Sequence, residues 1–230
     1  MIQKLLASAA CAALISFSFV SVSAATSEHV VADHIRVRFV LPEHSSSTEE
    51  TLVGLLFEPD PHWHVYWKNP GDSGAAPKFN FVSSTADVGP VQWPAPARLP
   101  FAHLTNLGYD GSVIYLFSIR PKDSIVVSVA ADLEWLVCQE ECVPGFAKLS
   151  FERPRLSGSA KWSTADENLI RKFAARVPVS SGSAPIKIES IEISSSTLVL
   201  KASQSASLAT ESLEIFPVNG DFVLPSRPAF

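Results

Sequence analysis

Positive charge never accumulates in this chain. No basic run appears in its 230 residues, the formal charge is −5 and the pI is near 5.7, so the electrostatic footprint that nucleic-acid binding requires is missing. No nucleic acid is expected as a partner. Beyond residue 24 no uninterrupted apolar stretch reaches the roughly 18 residues of a membrane-spanning helix. Helical periodicity is absent between residues 28 and 156, which argues against a helical or alternating α/β architecture there. Disorder is excluded by the reverse consideration, because 47% of the residues are hydrophobic and 18% charged. Cysteine is scarce, with three in the chain.

One of these, Cys11, falls in a segment with the features of a secretory signal. Lys4 supplies a positive start, Leu5 to Val20 is uncharged and apolar, and Val22-Ser23-Ala24 places small residues where a signal peptidase reads. Residues 1–24 are therefore read as a cleaved signal peptide, and the mature protein as one of an oxidising compartment. Ser8-Ala9-Ala10 before Cys11 lacks the large aliphatic residue of a lipidation site. Cys138 and Cys142 remain, in a compartment where thiols pair.

Short alternating runs with turn signals between them fill residues 28–156. His34 to Val40 puts Ile35, Val37 and Phe39 on one face, and Thr51 to Glu58 resumes the pattern. Pro59 to Pro77 holds Trp63, Tyr66 and Trp67 and then the breaks Pro70-Gly71 and Gly74, predicting a strand that runs into a shaped loop. Phe79 to Val82 and a proline-broken Val91 to Pro96 follow. Arg98 to Asn106 reads as a loop with apolar Leu99, Phe101 and Leu104, Gly108 to Gly111 as a turn, and Val113 to Ile119 as a strand. Pro121 to Ser124 is expected to close a hairpin, after which Ile125 to Val137 and Cys142 to Glu152 form the arms around the cysteines. The fold class is all-β: an immunoglobulin-like antiparallel sandwich over 28–156.

A different unit follows. Thr164-Ala165-Asp166-Glu167 has the capping-box pattern, and Leu169, Ile170, Phe173, Ala174 and Val177 recur at helical spacing before Pro178. Residues 157–184 are read as helix and linker. Ile186 to Ile193, Thr197 to Ala202 and Ser212 to Val218 read as strands of a second, apparently incomplete β domain over 185–230, as if the sequence were part of a longer protein.

The chemistry-bearing residues are few. Cys138 and Cys142, three residues apart across a hairpin end, are close enough to bridge. Gln139-Glu140-Glu141 between them disfavours a thiolate, which suits a disulfide attacked by a partner's thiol rather than one that initiates attack. Spacing alone favours a structural disulfide, because most pairs in secreted domains are structural; an exchange site stays open. His62 and His64 share a strand face and with the two thiols offer a copper or zinc ligand set, against which stands their distance in sequence from the cysteines. Trp63 and Trp67 are first of all sandwich core anchors, with shielding of the cysteine pair as the sharper alternative.

Three motifs in order carry a family resemblance: W-H-V-Y-W-K-N-P-G-D-S-G (Trp63 to Gly74), G-Y-D-G (Gly108 to Gly111) and W-L-V-C-Q-E-E-C-V-P-G (Trp135 to Gly145). Together, over about residues 30 to 155, they resemble the N-terminal periplasmic domain of the DsbD family of thiol:disulfide interchange proteins, in its ScsB-like branch. The resemblance implies a relay through a mixed disulfide, with a membrane-embedded reductase domain as electron donor and periplasmic thioredoxin-fold oxidoreductases as acceptors. It implies catalytic roles for Cys138 and Cys142, no cofactor and no resident metal. It also implies a cap loop with an aromatic shield, for which Phe101 and Leu104 are the candidates, with Tyr66, Trp67 and Tyr109 as further shielding residues. Two departures stand out. The acidic residues of the family's loop have no match here, where Asn106-Leu107-Gly108 stands, and the 230 residues include neither a transmembrane nor a thioredoxin-like domain. Two other functions remain open: a binding module stapled by a structural disulfide, and a periplasmic copper- or zinc-binding protein.

Overall fold

Period-two hydrophobic patterning requires strands with one face buried. The computed structural model describes residues 28–180, 182–184, 186–194, 197–204 and 214–219, and the segment read as a signal peptide lies outside them. In chain order the described elements are β1 (His29–Ala32), β2 (Ile35–Val40), β3 (Ser45–Ser46), β4 (Thr51–Pro59), β5 (His64–Gly71), β6 (Lys78–Val82), β7 (Ala86–Val88), β8 (Ala97–Phe101), β9 (Leu104–Asp110), β10 (Val113–Pro121), β11 (Val126–Cys138), β12 (Cys142–Leu156), α1 (Thr164–Ala174), β13 (Ile186–Ile193) and β14 (Leu198–Gln204).

Two sheets make the sandwich. One runs β1-β2-β4-β10-β7; the other runs β3-β12-β11-β5-β9-β8, with β6 also paired to β11. This is the expected immunoglobulin-like, almost wholly antiparallel architecture; β3 and β12 form a parallel pair. Rings from opposite sheets lock the layers together edge-on: Phe57 on β4 meets Trp135 on β11 at 5.6 Å, and Phe39 on β2 meets Phe151 on β12 at 4.9 Å. The outer face of the first sheet is covered by α1, which lies across β4 and β10 and buries Ile170 and Phe173. No described helix is long and apolar enough to cross a membrane.

Several local expectations give way. The loop read over Arg98 to Asn106 is the hairpin β8–β9, with register Ala97 opposite Gly108 through Phe101 opposite Leu104. Gly108 to Asp110 belong to β9 rather than to a turn, and among the four residues of that motif the positive φ falls on Gly111, at 95°. Pro121 to Ser124 closes no hairpin, because β10 pairs with β4 and β7 while β11 pairs in the opposite sheet; the chain crosses between layers there. Val91 to Pro96 keeps one bridge, Gln92 to Leu116, as its prolines cannot sustain a ladder. The helix cap is Ser163, not Thr164: its hydroxyl accepts the Asp166 N–H at 3.1 Å. Of the second β unit, β13 and β14 form a separate hairpin. Part of the strand expected over Ser212 to Val218 lies outside the described residues, and 214–217 carries no strand.

Candidate functional site

β11 and β12 pair without a bulge from Val126 opposite Pro154 to Cys138 opposite Cys142. Their odd-numbered residues, Val127 to Val137, enter the core, so the even-numbered ones, the cysteines included, stand on the outer face of the sheet. The disulfide Cys138–Cys142 closes the last pair, with Cα atoms 4.2 Å apart. Gln139 N–H donates to the Glu141 carbonyl at 3.0 Å and tightens the turn. The two sulfur-bearing residues differ in access: Cys138 is 2% exposed, whereas Cys142 is open to solvent.

The register extends this pair into a row. His64 on β5 lies opposite Cys138, and Asp110 on β9 lies opposite His64, so Cys142, Cys138, His64 and Asp110 cross four strands side by side. Tyr66, two residues along β5 on the same face, reaches back to it. Its hydroxyl is 3.7 Å from Cys142 Sγ and 3.4 Å from His64 Nε2. Burial pushes the His64 pKa down, an effect that the Asp110 charge partly opposes, and burial pushes the Tyr66 hydroxyl up.

Tyr66 is held from three sides. The buried Tyr115 hydroxyl donates to the Tyr66 carbonyl at 2.8 Å from the opposite sheet. Gly108 faces it across β9, where an added Cβ would come within 2.3 Å of the Val65 carbonyl oxygen. Gly74, at φ +86°, lies flat on the ring, and a Cβ there would fall 2.1 Å from Tyr66 Cζ. The glycines of two sequence motifs thus make room for one residue, Gly108 for the backbone of β5 at Tyr66 and Gly74 for its ring.

The β8–β9 hairpin borders a cleft that reaches Gln139 of the disulfide turn. Leu99, Pro100 and Phe101 form one wall of this cleft of about 280 Å³, whose other wall is His62, His64, Asp110 and Gln139. The Asn69 to Gly74 segment pins its base. Asp72 accepts the Thr105 N–H at 2.8 Å, and the buried Asn106 side-chain oxygen accepts from Ser73 N–H at 3.0 Å and Ser73 Oγ at 2.9 Å. Residues 214–217 also return here: Arg98 pairs with Glu214 and stacks on Phe216 at 4.7 Å, while Asn69 Nδ2 donates to the Pro217 carbonyl at 2.8 Å.

Of the residues singled out in the sequence, Cys138, Cys142 and Tyr66 come together, and Phe101 lines the cleft at 41% exposure. Leu104 begins β9 just past the β8–β9 turn, half-buried. Trp67 and Tyr109 occupy core-facing positions on β5 and β9, which corrects the shielding expected of them: both belong to the core cluster, and the Tyr109 hydroxyl donates to the Pro94 carbonyl. Trp63 is a core residue too, stacked on His34 at 3.8 Å. His62 and His64 border the cleft, but among the described residues no group of three or more His, Cys, Asp or Glu side chains gathers in metal-binding geometry. Asp110 and Asn106 were missed because their partners are set by strand register; buried Asn106 had no sequence signal beyond standing where the family's acidic residues would be.

Comparison with known proteins converges on one family. Residues 36–154 match the family model described as thiol:disulfide interchange protein DsbD, N-terminal. The crystal structure of the N-terminal periplasmic domain of ScsB from Proteus mirabilis superposes with a TM-score of 0.61 at 26% sequence identity, covering 80% of this chain and 71% of that one. No sequence in a search of curated proteins matches.

Proposed function

Because the chain belongs to the family of DsbD N-terminal domains, we propose that it is a periplasmic electron relay in which Cys138 and Cys142 cycle between disulfide and dithiol. The observation that carries this reading is the asymmetry of the pair: one sulfur-bearing residue is exposed at a hairpin tip and the other is buried behind it. A thiolate of the donor, a membrane-embedded reductase domain, attacks Cys142 Sγ; the sulfur–sulfur bond breaks and Cys138 leaves with the electron pair. The donor's second thiol then attacks its own sulfur in the mixed disulfide, releasing the domain as a dithiol. In the second half-cycle Cys142 attacks the disulfide of a thioredoxin-fold acceptor, and Cys138 resolves that mixed disulfide. Phe101 and the β8–β9 hairpin narrow the approach, so small thiols and disulfides react slowly, while a docking protein displaces the hairpin.

The reading is tested by incubating the reduced chain with an excess of an oxidised periplasmic thioredoxin-fold protein and counting free thiols by alkylation and mass spectrometry. Both cysteines should be lost together, with a matching gain of two thiols on the acceptor. Retention of both thiols against several such acceptors would point instead to a structural staple in a binding module.

A further inference from the structure

Thiol-disulfide exchange by this domain has a proton problem. The attacking species is a thiolate, yet Gln139-Glu140-Glu141 beside the pair offers carboxylates rather than a cation to stabilise one. The row across the sheet contains a base that the relay described above does not use. We propose that His64, acting through the Tyr66 hydroxyl, takes the proton of the Cys142 thiol as that sulfur attacks a partner's disulfide. The inference rests on the redox reading of the pair.

The geometry supplies a continuous path. In the disulfide, Cys142 Sγ carries no proton and lies 3.7 Å from Tyr66 Oη; once reduced, the Cys142 thiol can donate to that oxygen, and Tyr66 in turn to His64 Nε2, 3.4 Å away. As the electron pair on Cys142 Sγ forms a bond to the partner's sulfur, the partner's disulfide breaks and its second sulfur leaves as a thiolate, which water protonates. The Cys142 proton moves to Tyr66 while the Tyr66 proton moves to His64, and His64 returns it to solvent through the cleft that it lines. His64 must start neutral. Burial lowers its pKa from the ordinary imidazole value of 6.5, so it is protonated only below that pH and is available as an acceptor at neutrality. Asp110 on β9 faces the ring and stabilises the cation once formed. His62, just before β5, borders the same cleft; β11 presents Cys138, the turn after it Gln139, and the β8–β9 hairpin Leu99, Pro100 and Phe101. Glu140 and Glu141 of the turn are exposed.

The test uses the full chain carrying Cys138→Ser, so that Cys142 is the reacting thiol, with oxidised glutathione as the disulfide. The rate of protein–glutathione mixed disulfide formation is followed by mass spectrometry across pH. His64→Gln should lower the rate at pH 7 by roughly tenfold, the low end of general acid–base contributions, and should remove the inflection below pH 6.5. The two rates should converge above about pH 9, where the thiol ionises unaided. Tyr66→Phe, which keeps the ring, should show the same loss, and the double variant should lose no more than either single one. A His64→Gln profile that superposes on its parent, or lies below it by a constant factor at every pH, would overturn the proton path. Failure of the reduced, unsubstituted chain to exchange with either glutathione or an oxidised thioredoxin-fold protein would overturn the redox reading itself, and the path with it.

Discussion

Replacing Cys138 by serine is expected to freeze the relay at a mixed disulfide through Cys142, whereas replacing Cys142 by serine should leave almost nothing to trap. Residues 138 and 142 are cross-strand neighbours, yet only Cys142 lies open to an incoming protein, Cys138 being 2% exposed behind it. Exchange requires a nearly linear approach of three sulfurs, so access decides which sulfur is attacked. With Cys138 absent, no internal thiol remains to resolve the intermediate, and the complex should survive on a non-reducing gel. Mixed-disulfide formation with an oxidised thioredoxin-fold protein should be at least about 100-fold faster for Cys138→Ser than for Cys142→Ser, as expected when thiol access controls the rate. Equal trapping by both variants, or faster trapping by Cys142→Ser, would contradict the assignment of Cys142 as the attacked sulfur.

The largest expected effect on stability comes from Gly108→Ala. The added methyl would stand 2.3 Å from the Val65 carbonyl oxygen and 3.2 Å from Tyr66 Cα, both backbone atoms of the paired strand β5. Neither can swing aside as a flexible side chain would. Relief requires β9 to part from β5, and β9 carries the β8–β9 hairpin and Asp110 with it. A cost of about 3 kcal/mol is expected, at the upper end for overpacking, lowering the melting temperature by on the order of 10 °C for a domain of this size. Gly111→Ala is the control: its φ of +95° is unfavourable for alanine, but nothing lies within 4 Å of the added methyl. It should cost about 1–2 kcal/mol from conformation alone. A Gly108→Ala protein as stable as Gly111→Ala would show that the β5–β9 contact is not rigid.

Alternation made the sandwich legible before any coordinates, and the two cysteines flanking a short turn marked its chemical end. The strands that carry the site, β5, β11 and β12, were each visible as apolar runs. What the runs do not encode is register. His64 meets Cys138 and Asp110 because three strands distant in sequence align at one level, and no local pattern announces that. The β8–β9 hairpin was hidden for another reason: Arg98 to Asn106 carries Pro100 and scattered apolar residues that resemble a loop, and its strands exist because β9 pairs with β5 and is pinned by Asp72 and Ser73. Trp67 and Tyr109 attracted a shielding role by proximity in sequence to Tyr66 and the Gly108 motif. The two-residue period of a strand sends them to the opposite face.

The reduction potential of the Cys138/Cys142 couple tests the central claim most directly. The purified chain is equilibrated in thiol redox buffers of graded potential and its free thiols are counted at each. The account predicts a two-electron transition within the working range of exchange proteins, about −120 to −270 mV. A midpoint below about −300 mV, where secreted structural disulfides lie, would contradict it.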